Sequence, residues 1–176
     1  MLEQSYWESL DSTTQRFALA LSVFPDLIEW GLAEVLAIAL NIKSEEEREN
    51  LITHDLLQKV NAQTYRLCSR DFFRTKLGQL EKTTLMPHQL AVILGIEYPD
   101  ALRRLFHLEK LGVCEINLLS YHICTPDVPV SALPYVADLG YVEGFIDFPW
   151  QCPECHEQVN SHEELNFDFM AIFQLA

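Results

Sequence analysis

An α+β fold is predicted by three features of this 176-residue chain. Apolar residues recur at helical spacing through residues 12–111, punctuated by start and stop signals. The final third holds Pro126, Pro129, Pro134, Pro149 and Pro153, has no strong helix pattern, and closes on a period-two alternation. Two short loops, His122-Ile-Cys124 and Cys152-Pro-Glu-Cys155-His156, carry the donors that would clasp that region around a metal ion.

The elements follow in order. Ser12-Thr-Thr-Gln15 reads as a capping box opening a helix that carries Phe17, Leu21 and Phe24. Pro25 ends that helix and begins the next, with Ile28, Leu32, Leu36 and Ala39 as one stripe. Ser44 with Glu47 forms a second capping box, and Ile52, Leu56 and Val60 continue that helix. Glu45, Glu46 and Glu47 complement its dipole, so this acidic run is a solvated helix start. Thr64-Tyr-Arg-Leu-Cys68 is β-prone, and Ser69 caps a helix with Phe73, Leu77 and Leu80 on one side and Arg70 and Arg74 as a pair. Residues 87–94 form a short helix stopped by Gly95. Pro99 opens another over 100–111, which buries Leu102, Leu105, Phe106 and Leu111 and exposes Arg103, Arg104, His107 and Lys110. Residues 113–124 are β-branched and apolar enough for one strand or two. The last segment places Leu165, Phe167, Phe169, Ala171, Phe173 and Leu175 on one side and Asn166, Asp168 and Gln174 on the other, as in a half-buried strand.

Composition narrows the function classes. A hydrophobic content of 49% with only six glycines argues for a packed core and against disorder. The start has neither a basic nor an apolar leader region, and apolar runs such as 17–23 and 35–40 are far below membrane-spanning length. Five cysteines, an odd number, suit a reducing cytoplasm better than a disulfide framework, and Cys68 and Cys114 read as buried small hydrophobes. The net charge of −14 is uneven: residues 1–58 carry 3 Lys/Arg against 11 Asp/Glu, 59–110 carry 9 against 5, and 111–176 carry none against 10. So negative a field repels polyanions and leaves only the middle third suited to nucleic acid.

The metal motif is the sharpest chemical signal. A tetrahedral zinc site needs four N or S donors, and Cys-x-x-Cys supplies two from one turn. Cys152 and Cys155 are that pair, Cys124 is a third sulfur, and His122 is favoured as the fourth donor. His156 follows Cys155 directly, and adjacent side chains seldom point at one ion. Water or a partner residue could also complete the shell. A structural Zn2+ is expected. A zinc hydrolase would need an open position and a base such as Glu154 or Glu157. The deaminase signature His-x-Glu…Pro-Cys-x-x-Cys is not met, because His122-Ile-Cys124 lacks the Glu and Gln151 precedes Cys152. No phosphate loop, paired-carboxylate motif or Ser/His/Asp grouping stands out. His54, His88 and His162 read as surface or core histidines, and Trp7, Trp30 and Trp150 as packing or interface anchors.

Pro-His-Gln-Leu-Ala-Val-Ile-Leu-Gly-Ile (87–96), followed by Pro-Asp-Ala-Leu-Arg-Arg-Leu-Phe-His-Leu-Glu-Lys-Leu-Gly-Val (99–113), resembles a winged helix-turn-helix over residues 85–124. The small Ala91 would let two helices cross closely, and Gly95 would supply the turn. The segment 113–124 departs from the family pattern, since it lacks Gly, Pro or Asn-Gly for a wing turn; Asn117 or Ser120 would have to serve. Residues 12–80 more faintly resemble the winged helix that follows the nucleotide-binding core of signalling ATPases. Without a Gly-x-x-x-x-Gly-Lys-Ser/Thr loop, that resemblance carries no ATPase activity.

Three domains are therefore expected: a helical winged-helix-like part at 1–82, a winged helix-turn-helix at 83–124, and a zinc-binding β region at 125–176. The expected function is a cytoplasmic, non-enzymatic adaptor or regulatory subunit of a multiprotein assembly. The resemblances make a prokaryotic signalling or antiviral defence system its setting, by analogy. Glu143, Asp147, Glu154 and Glu157 are the candidate partner-binding acids. A winged-helix transcription regulator is the competing reading, with Arg103, Arg104, His107 and Lys110 on DNA. No membrane association is expected.

Overall fold

Mixed α+β architecture is what the computed structural model shows, and it describes residues 4–124, 141–143 and 146–174. The chain divides into two units. One comprises residues 4–84, 104–115 and 172–174, and the other residues 85–103 and the described part of 116–171.

In the first unit, helices α1 (Gln4–Ser9) and α2 (Ser12–Leu21) precede strand β1 (Leu27–Glu29). Helices α3 (Trp30–Ala39) and α4 (Ser44–Thr53), strands β2 (Leu57–Lys59) and β3 (Thr64–Leu67) and helix α5 (Arg70–Arg74) follow. The three strands pair antiparallel in the order β1-β3-β2, with Ile28 opposite Tyr65 and Gln58 opposite Arg66. Phe17, Leu21, Phe24, Ile28, Leu36, Leu51 and Phe73 are fully buried. Each such side chain contributes roughly 1.5–3 kcal/mol relative to exposure. Trp30 packs edge-on to Phe17 and Tyr65 and donates its indole N–H to Glu45 (3.1 Å). Trp7 packs on Phe72 and Phe73, so both tryptophans are packing anchors. Arg70 and Arg74 both donate from Nε to the Ser22 carbonyl (3.2 and 3.0 Å), which satisfies the C-terminus of α2.

Several local features differ from what the residue pattern predicts. The N-cap of α2 is Asp11, whose Oδ1 accepts from the backbone N–H groups of Thr13 (3.0 Å) and Thr14 (2.9 Å), and Ser12 is already helical. The Ser44–Glu47 box does not form. Lys43 is the cap residue and makes no side-chain cap bond, while Glu47 is buried and accepts from Thr14 Oγ1 (2.8 Å). Residues 54–60 do not prolong α4: Asp55 turns the chain at φ 56°, and β2 follows. Pro25 is followed by β1 rather than by helix, so Ile28 buries from a strand. Ser69 adopts φ 54° and makes no side-chain cap bond, and α5 ends at Arg74.

The second set of elements is β4 (Thr83–Leu85), α6 (Pro87–Leu94), α7 (Tyr98–Lys110), β5 (Glu115–Tyr121), β6 (Tyr141–Glu143), β7 (Trp150–Gln151), β8 (Gln158–Val159) and β9 (Asn166–Phe173). A four-stranded sheet has the order β4-β9-β5-β6, and β7 and β8 form a separate antiparallel pair. Helix α6 opens with Gln89 Oε1 accepting from the Met86 N–H (3.0 Å) and stops at Gly95, whose φ of 62° suits a residue without Cβ. Gly112, at φ 75°, follows α7 in the same way.

The buried stripe of α7 is Ala101, Leu105 and Leu108, spaced four and three residues apart, whereas Phe106 lies 40% exposed rather than buried. Strand β5 runs uninterrupted through Asn117 and Ser120, so neither residue makes a wing turn. Strand β9 exists but is not half-buried: it lies inside its sheet, Asp168, Met170 and Ile172 are buried, and Phe167 is 41% exposed. A strand covered on both faces loses the polar/apolar alternation expected at a solvated face. Cys114 is buried as expected, and Cys68 is only partly so. The prolines at 126, 129 and 134 and Leu175 lie outside the described residues.

One order of elements occurs twice. A first strand is followed by two helices and then a second strand, and the last strand lies between those two in the sheet: β1-β3-β2 and β4-β9-β5. Among the described residues, no helix is long and apolar enough to cross a membrane.

The cap assignment is testable. Asp11→Ala should cost about 1 kcal/mol of stability by denaturant unfolding, whereas Ser12→Ala should change it by less than about 0.5 kcal/mol. Hydrogen bonds from Thr14 hold the Asp11 carboxyl below its ordinary value of 3.8. Its contribution is therefore present at neutral pH and lost as pH falls below that value. The stability gap between wild type and Asp11→Ala should close in acid.

Candidate metal centre

Two chain segments deliver the donors. His122 directly follows Tyr121, the last residue of β5, and Cys124 comes two residues later, so the strand fixes where this segment starts. Cys152 and Cys155 occupy the turn between β7 and β8, where Trp150 pairs with Val159 and Gln151 with Gln158. Within the turn the Cys152 N–H donates to the Glu157 carbonyl (2.9 Å), and the His156 N–H donates to the Cys152 carbonyl (2.9 Å). His156 takes φ 62°, and Gln151 Nε2 donates to its carbonyl (3.1 Å). These bonds close a knuckle with both sulfurs on one loop.

The ligand atoms of His122, Cys124, Cys152 and Cys155 all lie within 4.8 Å of one another, and they could hold a metal ion. Cys124 Sγ is 3.6 Å from Cys152 Sγ, and His122 Nδ1 is 3.5 Å from Cys155 Sγ and 3.9 Å from Cys124 Sγ. A tetrahedral ion with metal–sulfur bonds of about 2.3 Å and metal–nitrogen bonds of about 2.0 Å has donor–donor edges of roughly 3.5–3.8 Å. The 3.6 Å sulfur–sulfur and 3.5 Å nitrogen–sulfur separations fall on those edges, and the 3.9 Å nitrogen–sulfur separation is slightly longer. Cys152 is buried, Cys155 exposed, and His122 and Cys124 lie between. His156 is exposed and is not one of the four clustered donors.

The thiols are electrostatically unequal. Burial opposes ionisation of Cys152, but the backbone N–H groups of Cys155 and Glu154, with His122 and Cys124, outweigh it and bring its pKa down to about 7. Burial, then hydrogen bonding to Cys152 and Cys155, pushes Cys124 up to about 12. A bound cation would reverse that logic by stabilising every thiolate at once.

Arg103 is 77% exposed and pairs with Asp100 (2.8 Å), one turn away on α7. Arg104 is partly buried and donates from Nη1 to the Gly31 carbonyl (3.4 Å), so it is not part of an open basic face. His107 and Lys110 are exposed. Asp147, Glu154 and Glu157 are exposed, and Glu157 Oε2 lies 3.7 Å from His122 Nε2. Glu143 is on β6, and its side chain lies outside the described residues.

Sequence reasoning missed one polar cluster. Asp168, expected on the polar side of a half-buried strand, is buried. It accepts from Tyr98 Oη (2.6 Å) and from the Phe169 N–H (2.7 Å), and its Oδ2 meets His88 Nδ1 at 2.9 Å. Burial, then Asp168, raises the pKa of Tyr98; burial, then the charge of Asp168, pushes Tyr121 up to about 12. His88 Nε2 is buried without a hydrogen-bond partner among the described residues. The only sequence signal was an acid set among the aromatic residues of a strand.

No protein family, curated protein or solved structure matches this chain.

Purified protein should retain about one metal ion per chain, measured by elemental analysis. Cys152→Ser should lose the ion, and a loss of about 3 kcal/mol would lower Tm by roughly 6–12 °C in a chain of this size. Because Cys124 holds its proton to about 12 without metal, metal must displace that proton. Apparent affinity should therefore fall as pH falls.

Proposed function

We propose that this protein is a non-enzymatic adaptor or regulatory subunit of a multiprotein assembly, built from two winged-helix modules and a structural zinc centre. The observation that carries protein contact over DNA contact is the engagement of two of the four basic residues of α7. Arg104 is committed to the Gly31 carbonyl, and Arg103 is paired with Asp100. An exposed pair such as the second is worth only about 0–1 kcal/mol, so Arg104 is the weightier loss for a DNA reader. The net charge of −14 adds a repulsive field.

Support for the winged-helix reading comes from the twice-used order of strand, two helices and two strands, with the last strand central. In the second module the Cys/His region would then occupy the wing, between β5 and β9. Zinc is favoured by three sulfurs and one imidazole gathered within 4.8 Å of one another, since soft thiolate donors suit zinc. Four protein donors leave no position for a reacting water, which supports a structural role over a hydrolytic one. Free thiols are at home in the reducing cytoplasm. A prokaryotic signalling or antiviral defence system is the setting suggested by the family resemblances.

The exposed acids Asp147 and Glu154 are the proposed contact for a basic partner surface. Asp147→Lys with Glu154→Lys should release a co-purified partner while leaving metal content unchanged. Retention of that partner at unchanged affinity would remove the acidic surface from the proposal. Duplex DNA should show no appreciable binding at physiological salt. A nanomolar, sequence-dependent complex that weakens steeply with salt and is lost in Arg103→Ala with Lys110→Ala would establish the DNA-binding regulator instead.

A further inference from the structure

We infer that Glu157 is a positioning residue of the metal centre, holding His122 so that Nδ1, rather than Nε2, faces the ion. This rests on reading the four-residue cluster as a metal site. Nδ1 is the nitrogen that lies among the sulfurs, 3.5 Å from Cys155 Sγ and 3.9 Å from Cys124 Sγ. Nε2 instead faces Glu157 Oε2 at 3.7 Å. A neutral imidazole binds metal through one nitrogen and carries its proton on the other. Ligation through Nδ1 therefore puts the proton on Nε2, opposite the carboxylate.

The place of Glu157 in the knuckle makes the contact available. Its carbonyl accepts from the Cys152 N–H (2.9 Å), so the turn that presents the sulfurs also fixes the backbone of Glu157. A separation of 3.7 Å is longer than a hydrogen bond. A side-chain adjustment of about 0.7 Å brings it into the ordinary N–H···O range. Carboxylate partners of this kind fix the tautomer and raise the basicity of a ligating imidazole, and losing one typically costs 10–100-fold in metal affinity. The Glu157 side chain is 70% exposed, which places the expected effect at the lower end of that range. Three thiolates already outweigh a divalent cation, so a fourth negative charge brings no charge balance. The contribution is orientation.

The test uses the full chain loaded with zinc. Long-range proton–nitrogen NMR on the wild type should show His122 coordinated through Nδ1 and protonated at Nε2. In competition with a chromogenic chelator, Glu157→Ala should bind zinc about tenfold more weakly. Glu157→Gln, which keeps an acceptor oxygen, should recover most of that loss, and Glu163→Gln, which removes a negative charge elsewhere, should leave affinity unchanged. Coordination through Nε2 would overturn the inference, as would wild-type affinity in Glu157→Ala. Equal losses in all three variants would mark an effect of net charge and overturn it too. Wild-type protein that takes up no zinc would sink the metal centre itself, an outcome distinct from a zinc-loaded Glu157→Ala of unchanged affinity.

Discussion

Sulfur crowding is the constraint on which the C-terminal architecture depends. Cys124 and Cys152 stand 3.6 Å apart, with Cys155 and His122 in the same cluster. Two thiolates at that separation repel by roughly 4–5 kcal/mol at an effective dielectric constant near 20. The cluster can therefore hold its charge only by keeping protons or by binding a cation. The split between Cys152, brought down to about 7, and Cys124, pushed to about 12, is the proton-keeping solution. A metal ion is the other, and it also ties the end of β5 to the β7–β8 turn. Metal occupancy and chain path are then one equilibrium.

A second buried charge is handled by hydrogen bonds instead. Asp168 lies in β9, where an unpaired carboxylate would cost several kcal/mol. Tyr98, the Phe169 N–H and His88 surround it. His88 and Tyr98 both stand in the first turns of their helices, α6 and α7. The same contacts draw a carboxylate toward the positive ends of both helices, where negative charge is favoured. Asp168 thus couples the central strand to two helix starts through one side chain. Phe173 and Ala171 follow it into full burial along that strand.

What could be read from the sequence was local and stereochemical. Gly95 ended its helix because positive φ is cheap only for glycine, and the Cys-x-x-Cys turn announced itself by spacing. Signals with two competing physical solutions were misread. Asp11 and Ser12 are adjacent N-cap formers, and the carboxylate reaches the backbone N–H groups one residue earlier. Ile52, Leu56 and Val60 keep a four-residue spacing that also fits a helix end, a turn at Asp55 and an edge strand. Alternation in 165–175 identified a strand but not what covers it. Met170 to Phe173 are buried in succession, so both faces of that strand are covered. The twice-used order of elements left no repeat in the residues, because packing constrains where apolar side chains recur and not which ones they are.

Charge counts are a poor measure of charge available for binding, and the middle of the chain shows why. Residues 59–110 carry nine Lys/Arg against five acids, the one segment with a positive balance. Arg70 and Arg74 in that segment are spent on the carbonyl of Ser22, and Arg104 is spent on that of Gly31. Arg66 pairs with Asp26, and Arg103 with Asp100. A guanidinium that satisfies a backbone carbonyl has a structural role, and a ligand recruiting it must leave that carbonyl unsatisfied. Three of the nine basic residues of this segment are therefore committed to the protein's own backbone, and two more are paired with acids. Exposed carboxylates such as Asp147 and Glu154 carry no such obligation in the described contacts. A basic protein surface can meet them without breaking a bond inside the chain, as the proposed adaptor role requires.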